Sequence, residues 1–248
     1  MTGEQDEEPR RAAYDAFTAA HSLGAEGRHE EAVTAYRRAL DLYRGLPDSE
    51  QQQANTLFNV GLVLGDTDRE EEALAACRQA LDLYRGLPGT EQQQANCLYN
   101  IGIALGAAER YDEAAAAYQQ ALSLYRGLPD SEQDQASTLF NAGVTLDEAE
   151  RYDQALASYQ DAFTLFRQVG DTPHQAICLI NIANTLYAAG RHEESLASLR
   201  EALGVYRQAD GTEQDQADCL NLIGDLLNHM GRHKEAQDAY QQAQDHHR

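Results

Sequence analysis

The amino-acid sequence predicts an all-α solenoid of about six antiparallel helix-turn-helix repeats. Two observations lead to this fold class: the sequence repeats itself with a period near 41 residues, and each repeat carries apolar residues at helical rather than strand spacing. A period of this length is typical of solenoids, in which each repeat packs only on its neighbours. The period is clearest in Arg44-Gly45-Leu46-Pro47, because the same four residues return at 85–88 and 126–129.

One alanine position marks all six repeats. It recurs at intervals of 41, 41, 41, 40 and 41 residues, as Ala39, Ala80, Ala121, Ala162, Ala202 and Ala243. The missing residue lies between Thr172 and Ala183. We therefore predict a disordered acidic N-terminus at residues 1–9 and one solenoid domain at residues 10–248. The approximate repeats are 10–47, 48–88, 89–129, 130–170, 171–210 and 211–248.

Each of the last five repeats begins with a residue that can cap a helix. These positions are Ser49, Thr90, Ser131, Thr172 and Thr212. Ser49 with Gln52, and Thr90 with Gln93, fit a capping box, in which side chains accept hydrogen bonds from the first amides of the helix. The apolar residues that follow recur at i, i+3, i+4 and i+7, a helical periodicity, as in Leu57, Val60, Gly61 and Leu64.

A second helix follows in each repeat after a short turn. Its apolar face is Ala73, Cys77, Ala80 and Leu81 in the second repeat, and Gly-Leu-Pro ends it in three repeats. Glycine occupies the turn in three repeats, whereas Asp68, Glu109 and Glu150 occupy it in the others. A left-handed residue other than glycine costs about 1 kcal/mol, so we expect these three turns to adopt another conformation.

The two helices together carry a longer motif, Leu-x-x-Ile-Gly-x-x-Leu, eight residues, then Ala-x-x-x-Tyr-x-x-Ala. Its best copy is Leu98, Ile101, Gly102, Leu105, Ala114, Tyr118 and Ala121. This pattern resembles the tetratricopeptide repeat, in the extended form of kinesin light chains and of peptide-sensing bacterial regulators. The resemblance implies a right-handed superhelix that acts as a non-catalytic protein-interaction scaffold. It also implies a concave groove, lined by the first helices, that binds a peptide or a helical segment.

Within that implied groove, one register is asparagine in repeats two to five. These residues are Asn59, Asn100, Asn141 and Asn181. A carboxamide carries both donors and an acceptor, which matches a peptide main chain, and the family resemblance implies a ladder that holds an extended ligand. The alternative interpretation is local: each amide bridges neighbouring repeats or faces water.

Residues beside the asparagines complete the candidate site. An aromatic precedes three of the asparagines by one residue, and it serves either as a ligand anchor or in packing between helices. Positions one turn earlier are mostly polar, and positions one turn later are mostly apolar. The candidate peptide-binding residues beside the ladder are Phe58, Tyr99, Phe140, Asn55, Asn96, Leu62, Ile103 and Asn184.

Charge restricts the class of partner. The chain carries 41 acidic against 19 basic residues, a net charge of −22. Such a surface repels phosphate groups, so we expect neither nucleic acid nor membrane as a partner. It favours a protein or peptide partner with basic flanks. The candidate groove positions hold no lysine or arginine, which argues against the carboxylate clamp of Hsp70- and Hsp90-binding family members.

The cysteines and the absence of catalytic motifs point away from enzymes and metal sites. The four cysteines have no metal-ligand spacing, and we expect no metal, no cofactor and a cytoplasmic location. No phosphate-binding loop or hydrolase motif occurs. Cys97, Cys178 and Cys219 share one first-helix register and are expected to be buried apolar residues rather than nucleophiles. An arginine follows every inter-helix turn, and we expect these arginines to pair with neighbouring acids.

Two alternative functions accompany the predicted peptide-binding scaffold. The chain stops at Arg248 with no further helix over the last pair. Apolar surface left exposed there would favour homo-oligomers through the terminal repeats. The other alternative is an accessory or sensor subunit of a bacterial regulatory system, acting through a partner chain.

Overall fold

The computed structural model describes residues 4–67, 69–209 and 211–245, and these residues form twelve α-helices and no β-strand. The helices are α1 Glu4–Ala25, α2 His29–Arg44, α3 Glu50–Gly65, α4 Glu70–Arg85, α5 Glu91–Ala107, α6 Tyr111–Tyr125, α7 Glu132–Glu148, α8 Tyr152–Val169, α9 Thr172–Ala188, α10 His192–Tyr206, α11 Glu213–His229 and α12 His233–Asp245. None of these helices combines the length and apolar composition that a bilayer span requires.

Odd-numbered helices are the predicted first helices, and even-numbered helices are the second. The Tyr84 hydroxyl, near the end of α4, donates to Asn55 Oδ1 near the start of α3 over 2.6 Å, so the two helices are antiparallel. The chain divides into two compact units, residues 1–129 with α1–α6 and residues 130–248 with α7–α12. Six helix pairs lie within the predicted repeat boundaries, apart from the early start of α1, and the predicted all-α repeat fold is confirmed.

Close packing within a repeat depends on glycine. Gly102 of α5 lies against the Tyr118 ring of α6, and a Cβ built on Gly102 would come within 2.5 Å of the Tyr118 Cε1 atom. Gly143 of α7 lies against Tyr159 of α8 in the same way. Both tyrosines are buried. The absence of a side chain on the first helix therefore makes room for a large ring on the second.

The turns between the helices differ from the sequence-based expectation. Glu109 and Glu150 adopt left-handed backbone conformations, each with φ of 57°, and the expectation of another conformation is wrong at both positions. The Arg110 amide donates to Leu105 O and the Glu109 amide to Gly106 O, both over 2.8 Å. These bonds form a Schellman motif, which offsets the left-handed strain. Asp68 lies outside the described residues.

The predicted capping boxes are also wrong. Neither Ser49 nor Thr90 caps its own helix through its side chain. The Thr90 hydroxyl instead lies 2.6 Å from Tyr84 O and 3.1 Å from Leu87 O at the end of α4, and Ser49 binds the end of α2 likewise. The carbonyls at a helix end lack partners, so the buried hydroxyls satisfy them.

In the fifth repeat the capping residue is Asp171 rather than Thr172. The Asp171 carboxylate accepts from the His174 amide over 3.2 Å, and Thr172 is the first residue of α9. Hydrogen bonds to the carboxylate from Gln133 and His174 lower the pKa of Asp171, although burial acts in the opposite direction.

The N-terminal end of the chain differs from expectation as well. Residues 4–9, predicted to be disordered, belong to α1, in which Glu7 and Glu8 lie near the positive end of the helix dipole; residues 1–3 lie outside the described part. At the other end, no large apolar side chain is exposed among the described residues of α12, although Leu222 of α11, in the same helix pair, is exposed to 37%. Gln237 and Gln244 of α12 are exposed at positions where α10 buries Leu196 and Leu203.

Candidate binding face on the first helices

We call the exposed strip along the first helices the first-helix face. It carries both apolar side chains and asparagine amides. In residues 1–129, Leu62 of α3 and Ile103 of α5 are exposed to 36% and 39%, one turn after the asparagine register. Asn59 and Asn100 are partly exposed. In residues 130–248, the corresponding first-helix positions include Asn141 of α7 and Asn181 of α9. Each unit therefore presents amides beside accessible apolar side chains.

Every ladder asparagine makes the same local hydrogen bond. The Nδ2 atoms of Asn59 and Asn100 donate to the carbonyl oxygens of Asn55 and Asn96 over 2.8 Å, four residues earlier in the same helix. Asn141 and Asn181 repeat this bond over 2.9 Å. Among the described residues, Asn59, Asn100 and Asn181 make no other side-chain hydrogen bond, so one N–H and the carbonyl oxygen of each amide are left for a ligand.

The asparagines one turn earlier have a structural role. The Tyr84 hydroxyl donates to Asn55 Oδ1, and the Tyr125 hydroxyl donates to Asn96 Oδ1 over 2.7 Å. Burial raises the pKa of Tyr84, which keeps its hydroxyl protonated as the donor. Asn55 and Asn96 thus tie the start of the first helix to the end of the second.

The aromatics beside the ladder pack within their own repeats and are partly buried. The Tyr99 ring lies 6.2 Å from the Tyr118 ring, and the Phe140 ring lies 5.6 Å from the Tyr159 ring, between centroids. Pairs with this tilt and spacing are favourable. Phe58, partly buried at the same register, belongs to the repeat in which Cys77 replaces the tyrosine. The packing interpretation therefore accounts for part of each aromatic surface.

The arginines after the inter-helix turns form ion pairs along the edge of each unit. Arg110 donates to Glu113 Oε1 over 2.8 Å and approaches Glu71 of the preceding repeat at 3.4 Å. Arg69 makes the same pair of contacts, with Glu72 and Glu30. Hydrogen bonding to Arg110 lowers the pKa of Glu113. The expected pairing with acids is confirmed at these positions, and the arginines do not form an open anion site.

Buried thiols predict an alkaline loss of stability. All four cysteines are buried and free of disulfides, and burial raises the pKa of Cys178 to about 12 and that of Cys219 to about 11. An unfolded thiol ionises near pH 8.5, so the stabilisation is complete below that pH and is lost as the pH rises towards 11–12. We expect the free energy of unfolding, measured with urea, to fall across this window.

Threonine provides the matched control, because Thr56 and Thr138 occupy the register of these cysteines and are buried. Replacing Cys178 and Cys219 by threonine should flatten the alkaline decline. An identical pH dependence in the double variant would contradict the assignment of this decline to the thiols.

Two similar clefts lie between the second helices of residues 1–129. They have volumes of about 350 and 400 Å³ and are lined by equivalent residues one repeat apart. Their floors include Leu40 and Leu81. Across one rim, Arg37 Nη2 lies 3.0 Å from Glu72 Oε2. Across the other, Arg78 Nη2 lies 3.9 Å from Glu113 Oε2. The charges of these rims already have partners, so the clefts offer a ligand little beyond apolar contact.

A cavity that the repeat pattern does not predict lies between α9, α10 and α11. Its volume is about 200 Å³. Leu199, Leu222 and Leu226 supply apolar walls, whereas Asn184 and Asp225 supply polar ones. Of the predicted site residues, Asn184 is the one that reaches this cavity.

The signal for the cavity is a break in the repeat. Leu199 occupies the position of Tyr118 and Tyr159, and Ala183 occupies the position of their glycine partners. Leu199 is one of the residues that line the cavity, and leucine is shorter than the tyrosine that occupies its position in those repeats.

Comparison with known proteins agrees with this architecture. Solved structures with the same fold include the apo form of RapI, with a TM-score of 0.72, 15% identity and coverage of 95% of this chain and 97% of RapI. A Rap protein in complex with Competence and Sporulation Factor has a TM-score of 0.63, 14% identity and coverage of 95% and 74%. TPR-like repeats from Podosopora anserina, described as kinesin light chain, have a TM-score of 0.66, 11% identity and coverage of 79% and 96%.

The family assignment comes from the sequence. No curated protein matches the chain at a significant level. The family model for the tetratricopeptide repeat matches in five overlapping stretches, at residues 14–85, 52–127, 95–168, 134–208 and 175–248. These stretches span nearly the whole chain and follow the observed helix pairs, so the chain belongs to the tetratricopeptide repeat family.

Proposed function

We propose that the protein is a non-catalytic scaffold that binds an extended segment of a protein or peptide partner along its first-helix face. The observation that carries the proposal is the asparagine register. Each amide is fixed by one intrahelical bond of 2.8–2.9 Å, and a fixed amide loses little entropy when it binds a main chain. The exposed Leu62 and Ile103 offer apolar contact one turn away.

Two further considerations support a peptide-like partner. One structure of the same fold is a Rap protein in complex with Competence and Sporulation Factor, so the fold accommodates a bound factor. The net charge of −22 attracts partners with basic flanks and accelerates their encounter at low salt.

Self-assembly through the terminal repeats has less support. Of the seven large apolar side chains that are exposed among the described residues, two lie in the terminal repeats, Tyr14 of α1 and Leu222 of α11, and none lies in α12. Gln237 and Gln244 instead give α12 a polar outer surface.

The proposal is tested by selecting binders from a library of random peptides displayed on phage. Enriched peptides are then titrated calorimetrically against the wild type and against a variant with Asn100→Ala and Asn141→Ala. Each hydrogen bond is worth about 0.5–1.5 kcal/mol net, so we expect the affinity to fall roughly ten- to a hundred-fold. Circular dichroism should show unchanged helical content.

Glutamines on the second helices give the matched control. Gln120 of α6 donates to Ala116 O four residues earlier over 3.4 Å, and Gln79 occupies the same register of α4. Replacing both by alanine should leave the affinity unchanged. Equal affinity of the asparagine variant and this control would remove the ladder from the function, and a library that yields no binder would remove peptide binding itself.

A further inference from the structure

The cavity between α9, α10 and α11 has the dimensions of a site for one side chain. Its volume of about 200 Å³ lies below the range of about 300–1,000 Å³ that is typical of small-molecule sites. It opens beside Asn184, on the same strip as the ladder residue Asn181. A peptide main chain held by the ladder would pass this opening, so a peptide side chain is the natural occupant.

The walls of the cavity combine apolar and aromatic groups. Leu199 and Leu226 are buried, and Leu222 is exposed to 37% at the opening. The Tyr187 ring lies 5.2 Å from the rings of both His192 and His229, between centroids. Such walls suit the methylene stem of a long side chain, and an aromatic ring also attracts a cation placed over its face.

A carboxylate on the wall decides the chemistry of the occupant. Asp225 Oδ1 accepts from the Tyr240 hydroxyl over 2.7 Å, which orients the carboxylate. Its other oxygen has no partner within the described residues, and no lysine or arginine lines the cavity. Covering this charge with a purely apolar side chain would desolvate it without compensation. A cationic head would instead form a charge-assisted hydrogen bond.

We propose that this cavity is the anchor site for one arginine or lysine side chain of the bound partner, with Asp225 receiving the cationic head and the three leucines enclosing the stem. The inference rests on the proposed function, because it names the partner residue that the first-helix face selects. The charge of α11 favours it further, since this helix carries Glu213, Asp215, Asp218 and Asp225 and no lysine or arginine.

The test uses two single-residue probes, N-acetyl-arginine methylamide and N-acetyl-norleucine methylamide. Norleucine matches the stem but lacks the charge. Binding is measured by NMR titration of the methyl groups of Leu199, Leu222 and Leu226 in the full chain. We expect the arginine probe to shift these methyls with at least ten-fold higher affinity than norleucine. Equal affinities, or no shift with arginine, would overturn the proposal.

Three variants sharpen the test. Asp225→Asn should weaken the arginine probe about ten-fold or more, whereas Asp218→Asn, which removes the same charge from the same helix outside the cavity, should not. Ala183→Gly combined with Leu199→Tyr restores the pairing of the third and fourth repeats and should abolish binding by filling the cavity. Undiminished arginine binding in Asp225→Asn or in the filled variant would contradict the proposal.

The same probes separate this inference from the proposed function. They have no chain to lie along the ladder, so their binding should not change in the Asn100→Ala, Asn141→Ala variant. Arginine binding in the cavity without any peptide from the library would refute only the proposed function. Library peptides that depend on the ladder, yet bind Asp225→Asn as tightly as the wild type, would refute only the anchor site.

Discussion

Gly102→Ala is expected to lower the free energy of unfolding by about 1–3 kcal/mol, the usual cost of overpacking. The added methyl group would lie 2.5 Å from Tyr118 Cε1 and 2.7 Å from Cδ1, and the Tyr118 ring is only 2% exposed, so the ring has little room to move. Alanine is the better helix former by about 1 kcal/mol, but this gain is smaller than the steric cost. Urea denaturation followed by circular dichroism measures the change.

Gly65→Ala is the matched control. Gly65 lies in α3 with nothing within 4 Å of the added Cβ, so the same substitution should stabilise the protein by up to about 1 kcal/mol. Adding Tyr118→Leu to Gly102→Ala should recover part of the loss, because Ala183 and Leu199 occupy these positions in the fifth repeat. If both glycine variants were equally stable, close helix packing at Gly102 would be disproved.

A comparison of two residues in α5 separates folding from binding. Leu105 is 2% exposed and Ile103 is 39% exposed, although they are two residues apart. Leu105→Ala should cost about 2–5 kcal/mol of stability through cavity formation, whereas Ile103→Ala should stay within about 0.5 kcal/mol.

The losses of peptide affinity should follow the reverse order to the losses of stability. Ile103→Ala should weaken the library-selected peptides, because truncation removes an apolar contact on the first-helix face. If Ile103→Ala destabilised the fold as much as Leu105→Ala, Ile103 would belong to the core and would be unavailable to a ligand.

The helical spacing of the apolar residues predicted most of the fold. The repeated apolar positions, such as Leu98 and Leu105, predicted two helices in each repeat, because burial of an apolar stripe determines where a helix packs. Caps and turns were less predictable. The Thr90 hydroxyl could bond its own helix or the preceding one, and only the spatial approach of the α4 terminus decides between them. Glu109 accepted a left-handed conformation because the turn supplied two backbone hydrogen bonds.

The candidate site was predictable in register but not in detail. The recurrence of Asn59 and Asn100 located the first-helix face, yet the intrahelical bonds of these amides depend on rotamers that a sequence does not specify. The bond from Tyr84 to Asn55 is predictable from the sequence, because both of its partners change together in the fourth repeat. There Phe166 replaces the tyrosine and Ser137 replaces the asparagine. The sequence signal for the cavity was Leu199, which departs from the residue that recurs at this position in the third and fourth repeats.

The most direct test of the central claim is a methyl NMR titration of the full chain with a library-selected peptide. We expect the methyl signals of Leu62 and Ile103 on the first-helix face to shift saturably, while those of Leu40 and Leu81 in the clefts between the second helices stay unchanged. Saturable shifts confined to Leu40 and Leu81, with Leu62 and Ile103 unchanged, would contradict the central claim.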